Sequence, residues 1–93
     1  METSALAPEE ICRRSGLRVS RRRLIVLKVL NGSKDDLTMD EIYRRAVRLD
    51  DSIAFTTIYR TVRDLVSAGL VIVLDILDSK RRYRRASDSH GGH

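Results

Sequence analysis

The stretch FTTIYRTVRDLVSAGL, residues 55–70, has the pattern of an amphipathic helix that ends at a glycine. At about 100° per residue, its apolar side chains gather on one side of the helix. That side holds Ala54, Phe55, Ile58, Val62, Leu65 and Val66. We predict a helix over residues 54–68, followed by Gly69 at the position where a left-handed backbone commonly ends a helix.

The opposite side of this helix is polar and contains no acid. Its members have the i, i+3, i+4, i+7 spacing of a shared helix surface: Thr56, Tyr59, Arg60 and Arg63, with Thr57 at the border. A face of this kind is most often simply solvated. It also suits the DNA major groove, because arginine can bond guanine O6 and N7, and a hydroxyl group can contact a thymine methyl group or a phosphate.

Two helices are predicted before residue 33. Pro8 opens a short first helix, since proline is tolerated in a first turn, and this helix is expected to end near Ser15 and Gly16. Ser20 can cap the second, RRRLIVLKVLNG, whose apolar residues surround the whole circumference. Such a helix is normally central and buried. The Asn31–Gly32 pair is expected to end it through a left-handed backbone.

A third helix is predicted in LTMDEIYRRAVRL, where Thr38 and Glu41 match a capping box. The expected buried residues are Ile42, Ala46, Val47 and Leu49, and the expected exposed ones are Arg44, Arg45 and Arg48. Four residues separate this helix from Ala54. So short a connection suits a helix-turn-helix, in which the N-terminal part of the second helix meets the base edges.

After Gly69 the pattern changes to LVIVLDIL and then, past Asp78, to RRYRRA, which predicts a β-hairpin over residues 70–86. The expected fold is mainly α with a C-terminal β-hairpin, a winged helix-turn-helix of three to four helices plus a two-stranded wing. The wing cations are expected near phosphates or a minor groove: Lys80, Arg81, Arg82, Arg84 and Arg85. We expect a disordered lead-in over residues 1–8, the winged-helix domain over 9–86 and the start of a linker over 87–93.

The composition favours a single basic domain with a polyanionic partner. The chain has 93 residues, a net charge of +5 and a sequence pI near 10.0. Six arginines and no acid lie between Arg13 and Arg23. Cys12 is the only cysteine, which fits a reducing compartment and a partly buried thiol. With no secretion signal and no apolar run of about 20 residues, we expect a soluble intracellular protein.

Enzymatic function is not expected, because the sequence offers neither a nucleophile–base pair nor a phosphate-binding loop, and both histidines lie at its C-terminal end. The main alternative to DNA binding is a winged-helix protein-interaction module that binds an acidic partner through the same face. Winged helices serve both purposes, so the fold does not decide between them.

The segments GLRVSRRRLIVLKVL, LTMDEIYRRA, FTTIYRTVRDLVSAGLV, RRYRRASDSH and the final HGGH resemble the DNA-binding half of ferric uptake regulator (Fur) family repressors. The resemblance covers about residues 10–93. It implies a winged-helix domain that binds DNA as a dimer, joined to a second α/β domain that dimerises and holds metal. The partner implied is double-stranded DNA with an AT-rich palindromic operator, bound by a homodimer of the full-length protein. The fragment itself is expected to be monomeric off DNA, with no membrane partner.

By this resemblance, Tyr59 matches the recognition-helix tyrosine that contacts bases, and Arg60 matches the arginine beside it. Arg18 matches a basic residue that enters the minor groove. His90 and His93 match part of a site for a regulatory divalent metal (iron, manganese or zinc) in the full-length protein, and this fragment is expected to bind none. The sequence departs from the family at Asp36, where several members have histidine, and at Arg84, where many have glutamate.

Overall fold

The computed structural model describes residues 6–74 and 80–86, which form four helices and a two-stranded sheet. The elements are α1 Pro8–Arg14, α2 Arg21–Asn31, α3 Met39–Leu49, α4 Phe55–Ser67, β1 Val71–Leu74 and β2 Arg82–Arg85. This order confirms the predicted winged helix-turn-helix. Residues 1–5, 75–79 and 87–93 lie outside the described parts, and with them most of the predicted lead-in, the whole predicted linker and both histidines.

The helices begin where the capping residues predict. The Ser20 hydroxyl accepts a hydrogen bond from the Arg23 N–H at 3.4 Å. At the start of α3 the Thr38 hydroxyl accepts from the Glu41 N–H at 3.3 Å, while the Glu41 carboxylate accepts from the Thr38 N–H at 2.8 Å. These reciprocal bonds satisfy two N–H groups that a helix terminus leaves without partners, so α3 has a fixed first turn.

The glycines end the helices in two different ways. Gly69, after α4, has φ +80°, a left-handed conformation that reverses the chain into β1 as predicted. The left-handed ending predicted for α2 is wrong, because Gly32 has φ −83°. Its N–H continues the helical pattern by donating to the Lys28 carbonyl at 3.0 Å, so no positive φ is required there. The Asn31 side chain instead anchors this end of α2 by donating to the Leu6 carbonyl at 3.1 Å.

The hydrophobic core surrounds α2, which packs against α1, α3, α4 and β2. Its central position confirms the prediction from an all-round apolar helix. The fully buried side chains come from the four helices and from the segment before α3: Leu27, Leu37, Ile42, Ile58, Leu65, Val26, Val62, Thr61 and Cys12. Burial raises the pKa of the Cys12 thiol, so this cysteine is a protonated core residue.

Several predicted core positions are not buried. On α3, Leu49 is 44% exposed and Val47 is half-buried, because the helix ends at Leu49 beside the exposed loop residue Val19. On α4, Ala54 is exposed and Phe55 is 40% exposed, since the helix begins beyond the edge of the core.

Thr61, which the sequence analysis did not assign to the core, takes a buried place on α4. Its hydroxyl donates to the Thr57 carbonyl at 2.6 Å, and this bond allows a polar side chain to be buried without penalty from an unmade hydrogen bond.

The two strands pair antiparallel, with Val71 opposite Arg85 and Val73 opposite Tyr83. The hairpin is attached to the helical part on its other edge, where the N–H and carbonyl groups of Leu37 and Tyr83 bond to each other at 2.8 and 3.0 Å. Tyr83 is buried in the core cluster. The base of the wing is therefore fixed to the segment that precedes α3.

Candidate nucleic-acid interface

The polar side of α4 is exposed as predicted. We call its residues the reading face: Thr56, Tyr59, Arg60 and Arg63, all of them solvent-exposed, with Thr57 half-buried at the border. The Arg63 guanidinium carbon lies 5.8 Å from the centre of the Tyr59 ring, within the range of a cation–π contact. Tyr59 is 42% exposed and is not part of the buried core, so this contact restrains its ring.

One flank of the reading face adjoins the first turn of α2. The groove between the two helices, which we call the α2 groove, is lined by Arg22, Thr57, Arg60, Arg63, Asp64 and Ser67. Three guanidinium groups and two hydroxyl groups thus surround one carboxylate. The groove has the polarity of an anion-binding surface.

The other flank adjoins the wing. A second groove, which we call the wing groove, is lined by Tyr59, Arg63, Val66, Ser67, Val73, Arg81 and Tyr83. Arg81 is exposed, and Lys80 lies exposed beside it in a neighbouring depression with Thr38 and Asp40. The structure therefore brings Arg81 to the side of α4 that carries Tyr59, and it places Lys80 beside the start of α3.

The loop before α2 is held by Arg23. The Arg23 guanidinium donates to the Arg18 carbonyl at 2.7 Å, and its other nitrogen lies 4.0 Å from the Asp64 carboxylate on α4. The Arg23 side chain is only 16% exposed, whereas Arg18 is exposed. Arg23 consequently joins the loop that presents Arg18 to the helix that carries the reading face.

The turn between α3 and α4 is fixed by Asp50, the residue that follows α3. Its carboxylate accepts bonds from the Ser52 hydroxyl at 2.6 Å and the Ser52 N–H at 3.0 Å, and from Arg21 at 2.9 Å. The Ser52 hydroxyl bond, followed by the Arg21 bond, lowers the pKa of Asp50 to about 2. The first turn of α2, the end of α3 and the turn that leads to α4 are therefore connected through one carboxylate.

Two wing arginines face acids of the helical part. Arg84 lies 3.7 Å from Asp36, and the half-buried Arg82 lies 3.9 Å from Glu41. The pKa of Glu41 is lowered, first by its hydrogen bond from the Thr38 N–H and more weakly by the nearby Arg82 charge. Arg82 was predicted as a DNA contact, and the structure places it where it also braces the wing against α3.

The described residues do not fit a metal ion. Among residues 6–74 and 80–86, no group of three or more histidine, cysteine, aspartate or glutamate side chains could hold one. Asp36 is instead paired with Arg84, whose positive charge disfavours a cation there. The predicted ligands His90 and His93 lie outside the described residues, so no chemical step is assigned to a metal.

Comparison with known proteins agrees with this geometry. Residues 14–93, most of the chain, match the ferric uptake regulator family. The chain belongs to the ferric uptake regulator family. Over 85 residues it is 34% identical to the ferric uptake regulation protein of Rhizobium leguminosarum bv. viciae and 39% identical to that of Brucella suis biovar 1. Each alignment covers 91% of this chain and 60% of the relative, so the chain spans about 60% of the length of these curated relatives.

A solved structure described as a zinc-bound manganese uptake regulator is also similar. It superimposes with a TM-score of 0.82 and 32% sequence identity, covering 91% of this chain and 64% of that chain. The ferric uptake regulator family is one of transcriptional regulators, which confirms the prediction that the chain is not an enzyme. The winged helix is thus a regulatory domain of this family. No helix in the described ranges is long and apolar enough to cross a bilayer.

The sequence alone did not reveal the bond between Arg23 and the Arg18 carbonyl or the place of Arg22 in the α2 groove. A signal was present, because Arg21, Arg22 and Arg23 occupy the first turn of α2, where acids are favoured by the helix dipole and none is found. Three cations at the positive end of a helix indicate partners elsewhere. Which partners they have depends on α3 and α4, and no local pattern reveals it.

Proposed function

We propose that this chain is the sequence-specific DNA-binding domain of a bacterial metal-responsive repressor. In this proposal α4 lies in the major groove, and the wing, residues 70–86, follows the backbone. The observation that carries the proposal is the reading face, a row of exposed hydroxyl, phenol and guanidinium groups with no acid among them, on the second helix of a helix-turn-helix.

The reading face supports a division between base and phosphate contacts. Arg60 is exposed and has no ion pair within the described residues, so its guanidinium is available for guanine O6 and N7. Tyr59, restrained by Arg63, supplies an apolar ring edge and a hydroxyl group to a neighbouring base. Thr56 and Thr57 lie in the first turn of α4, the part of such a helix that enters a groove most deeply.

The flanking cations suit contacts that position the domain without reading sequence. Arg18 extends from the loop before α2, and Lys80 and Arg81 extend from the wing, while Arg82 adds charge close to α3. Each phosphate neutralised in this way adds salt-dependent affinity for any DNA.

The longer protein is proposed to act as a homodimer on an AT-rich palindromic operator, with the isolated domain monomeric off DNA. Similarity to regulators named for iron and manganese uptake supports a divalent metal, iron, manganese or zinc, as the signal. His90 and His93 are proposed to contribute to that site together with ligands beyond this chain. A DNA operator as the target and the free, buried thiol of Cys12 agree with a bacterial cytoplasmic location.

The proposal is tested by selecting duplexes from a random pool and then measuring fluorescence anisotropy over a salt series. We expect an AT-rich inverted repeat to be enriched and bound more tightly than its scrambled sequence. Arg60→Ala should reduce that preference by about 1–3 kcal/mol, the size of one good base contact, while the salt dependence changes little. Equal binding to selected and scrambled duplexes at every salt concentration would refute the proposal.

The alternative of a protein-interaction module is not favoured, since the family is one of DNA-binding regulators. The same experiment separates the two ideas. A module for an acidic partner would bind DNA only through charge. Arg60→Ala and Arg81→Ala would then lower the affinity for DNA equally, and neither would change the preference for the selected duplex over the scrambled one.

A further inference from the structure

The first turn of α2 presents three consecutive arginines whose side chains have different partners. Arg21 bonds the Asp50 carboxylate at 2.9 Å, at the junction of α3 and α4. Arg23 bonds the Arg18 carbonyl and lies near Asp64. Arg22 is exposed and makes no ion pair or hydrogen bond within residues 6–74 and 80–86.

The position of Arg22 is electrostatically unfavourable in the isolated domain. The N-terminal end of α2 carries the positive end of the helix dipole, and its first turn contains no acid. Arg22 also shares the α2 groove with Arg60 and Arg63, and like charges in one groove repel each other. Among the described residues that line this groove there is one carboxylate, that of Asp64, and it lies 4.0 Å from the Arg23 guanidinium.

The α2 groove has the donors that a phosphate group requires. Guanidinium groups form paired hydrogen bonds with phosphate oxygens, and the Thr57 and Ser67 hydroxyl groups line the same groove. The groove opens beside the reading face, because Arg60 and Arg63 belong to both. A DNA strand that borders a major groove occupied by α4 would bring its phosphates to this position.

We propose that the α2 groove is a binding site for one phosphodiester group of the DNA backbone, with Arg22 as its principal ligand. The inference rests on the proposed function and adds a contact on the side of α4 opposite the wing. With Arg22 on one flank and Arg81 on the other, α4 is held between two phosphate contacts. Arg60 is then held at a fixed depth in the DNA major groove while it contacts a base.

The test compares Arg22→Ala with Arg45→Ala, which removes the same charge. Arg45 is exposed on α3 and lies on the opposite side of that helix from Tyr43, which packs edge-on against Phe55 of α4 at 5.4 Å. Each phosphate contact contributes about 0.9 to the steepness with which log affinity falls against log salt. Arg22→Ala should therefore make this slope shallower by about 0.9. Arg45→Ala should leave it unchanged, and Arg22→Lys should retain most of it.

Duplexes with single methylphosphonate linkages, which lack one phosphate charge, identify the contact. The wild type should lose affinity at one linkage position in each half-site, and Arg22→Ala should be insensitive at that position alone. Sodium phosphate at matched ionic strength should not compete, which distinguishes a backbone phosphodiester from free phosphate. Equal slopes for Arg22→Ala and Arg45→Ala would overturn this inference while leaving DNA binding by the domain intact. Absence of any sequence preference in the wild type would instead refute the proposed function.

Discussion

Two arginine clusters flank α4, one in the first turn of α2 and one in β2, and they look equivalent in the sequence. In the α2 cluster the middle residue, Arg22, is without a protein partner among the described residues, and both its neighbours are engaged by Asp50 and by Arg18 and Asp64. In the wing cluster, Arg82 and Arg84 face Glu41 and Asp36. The formal charge of a cluster therefore overstates what it can offer to DNA, because acids elsewhere in the fold neutralise part of it.

The two clusters also differ in how far their arginines are buried. We expect this to cause the largest difference between them, a difference in the free energy of unfolding of their alanine variants. Arg23→Ala should destabilise the domain by about 1–3 kcal/mol, because it removes a side chain that is only 16% exposed together with its charged hydrogen bond to the Arg18 carbonyl. Arg84→Ala removes an ion pair whose arginine is 57% exposed and should cost less than about 1 kcal/mol. Urea denaturation followed by circular dichroism measures both. Equal urea midpoints for the two variants would show that Arg23 contributes no more to stability than Arg84 does.

Within the wing, the ion pairs predict which cations act on DNA. Arg81→Ala should reduce the salt slope of DNA binding by about 0.9, because Arg81 is exposed in the wing groove and has no ion pair within the described residues. Arg84→Ala serves as the control with the same change of charge, and its slope should stay close to the wild-type value. Anisotropy titrations across several salt concentrations compare the two, and a larger loss for Arg84 would contradict the assignment of its charge to Asp36.

The smallest effect is expected from pH, through the clamp that Arg21 and Ser52 form on Asp50. The folded-state pKa of Asp50 is about 2, below its ordinary 3.8, so this carboxylate stabilises the fold above about pH 4 and loses that contribution as the pH falls towards 2. Asp50→Asn should lower the melting temperature slightly at pH 7 and reduce its fall between pH 4 and pH 2. Thermal melts at matched ionic strength test this. Parallel curves for the two proteins would exclude Asp50 as a source of the acid sensitivity.

Much of the fold follows from local patterns in the sequence. The Thr38–Glu41 box begins α3, the Ser20 hydroxyl begins α2 and the positive-φ Gly69 ends α4, all as predicted. These features involve residues only a few positions apart, so their hydrogen bonds form within a single turn and a sequence pattern can specify them.

Predictions that depend on where a helix meets the core were less accurate. The apolar side of α4 includes Phe55 on a helical wheel, yet α4 projects beyond the core and exposes that ring against Tyr43. Thr61 was not assigned to the buried side, yet it is fully buried, and the bond from its hydroxyl to the Thr57 carbonyl makes this burial possible. A wheel gives direction around a helix axis, whereas burial also depends on position along the axis relative to neighbouring helices.

The sequence by itself determined the helical order, the winged helix-turn-helix and the exposed polar row on α4, because periodicity and capping are local. Only the tertiary structure decided which arginines have partners. Arg21, Arg23 and Arg84 meet acids that are distant in sequence, and Arg22 makes no ion pair within residues 6–74 and 80–86. Coulomb interactions depend on distance in space and on solvent exposure, and adjacent positions in a chain carry no information about either until the helices are packed.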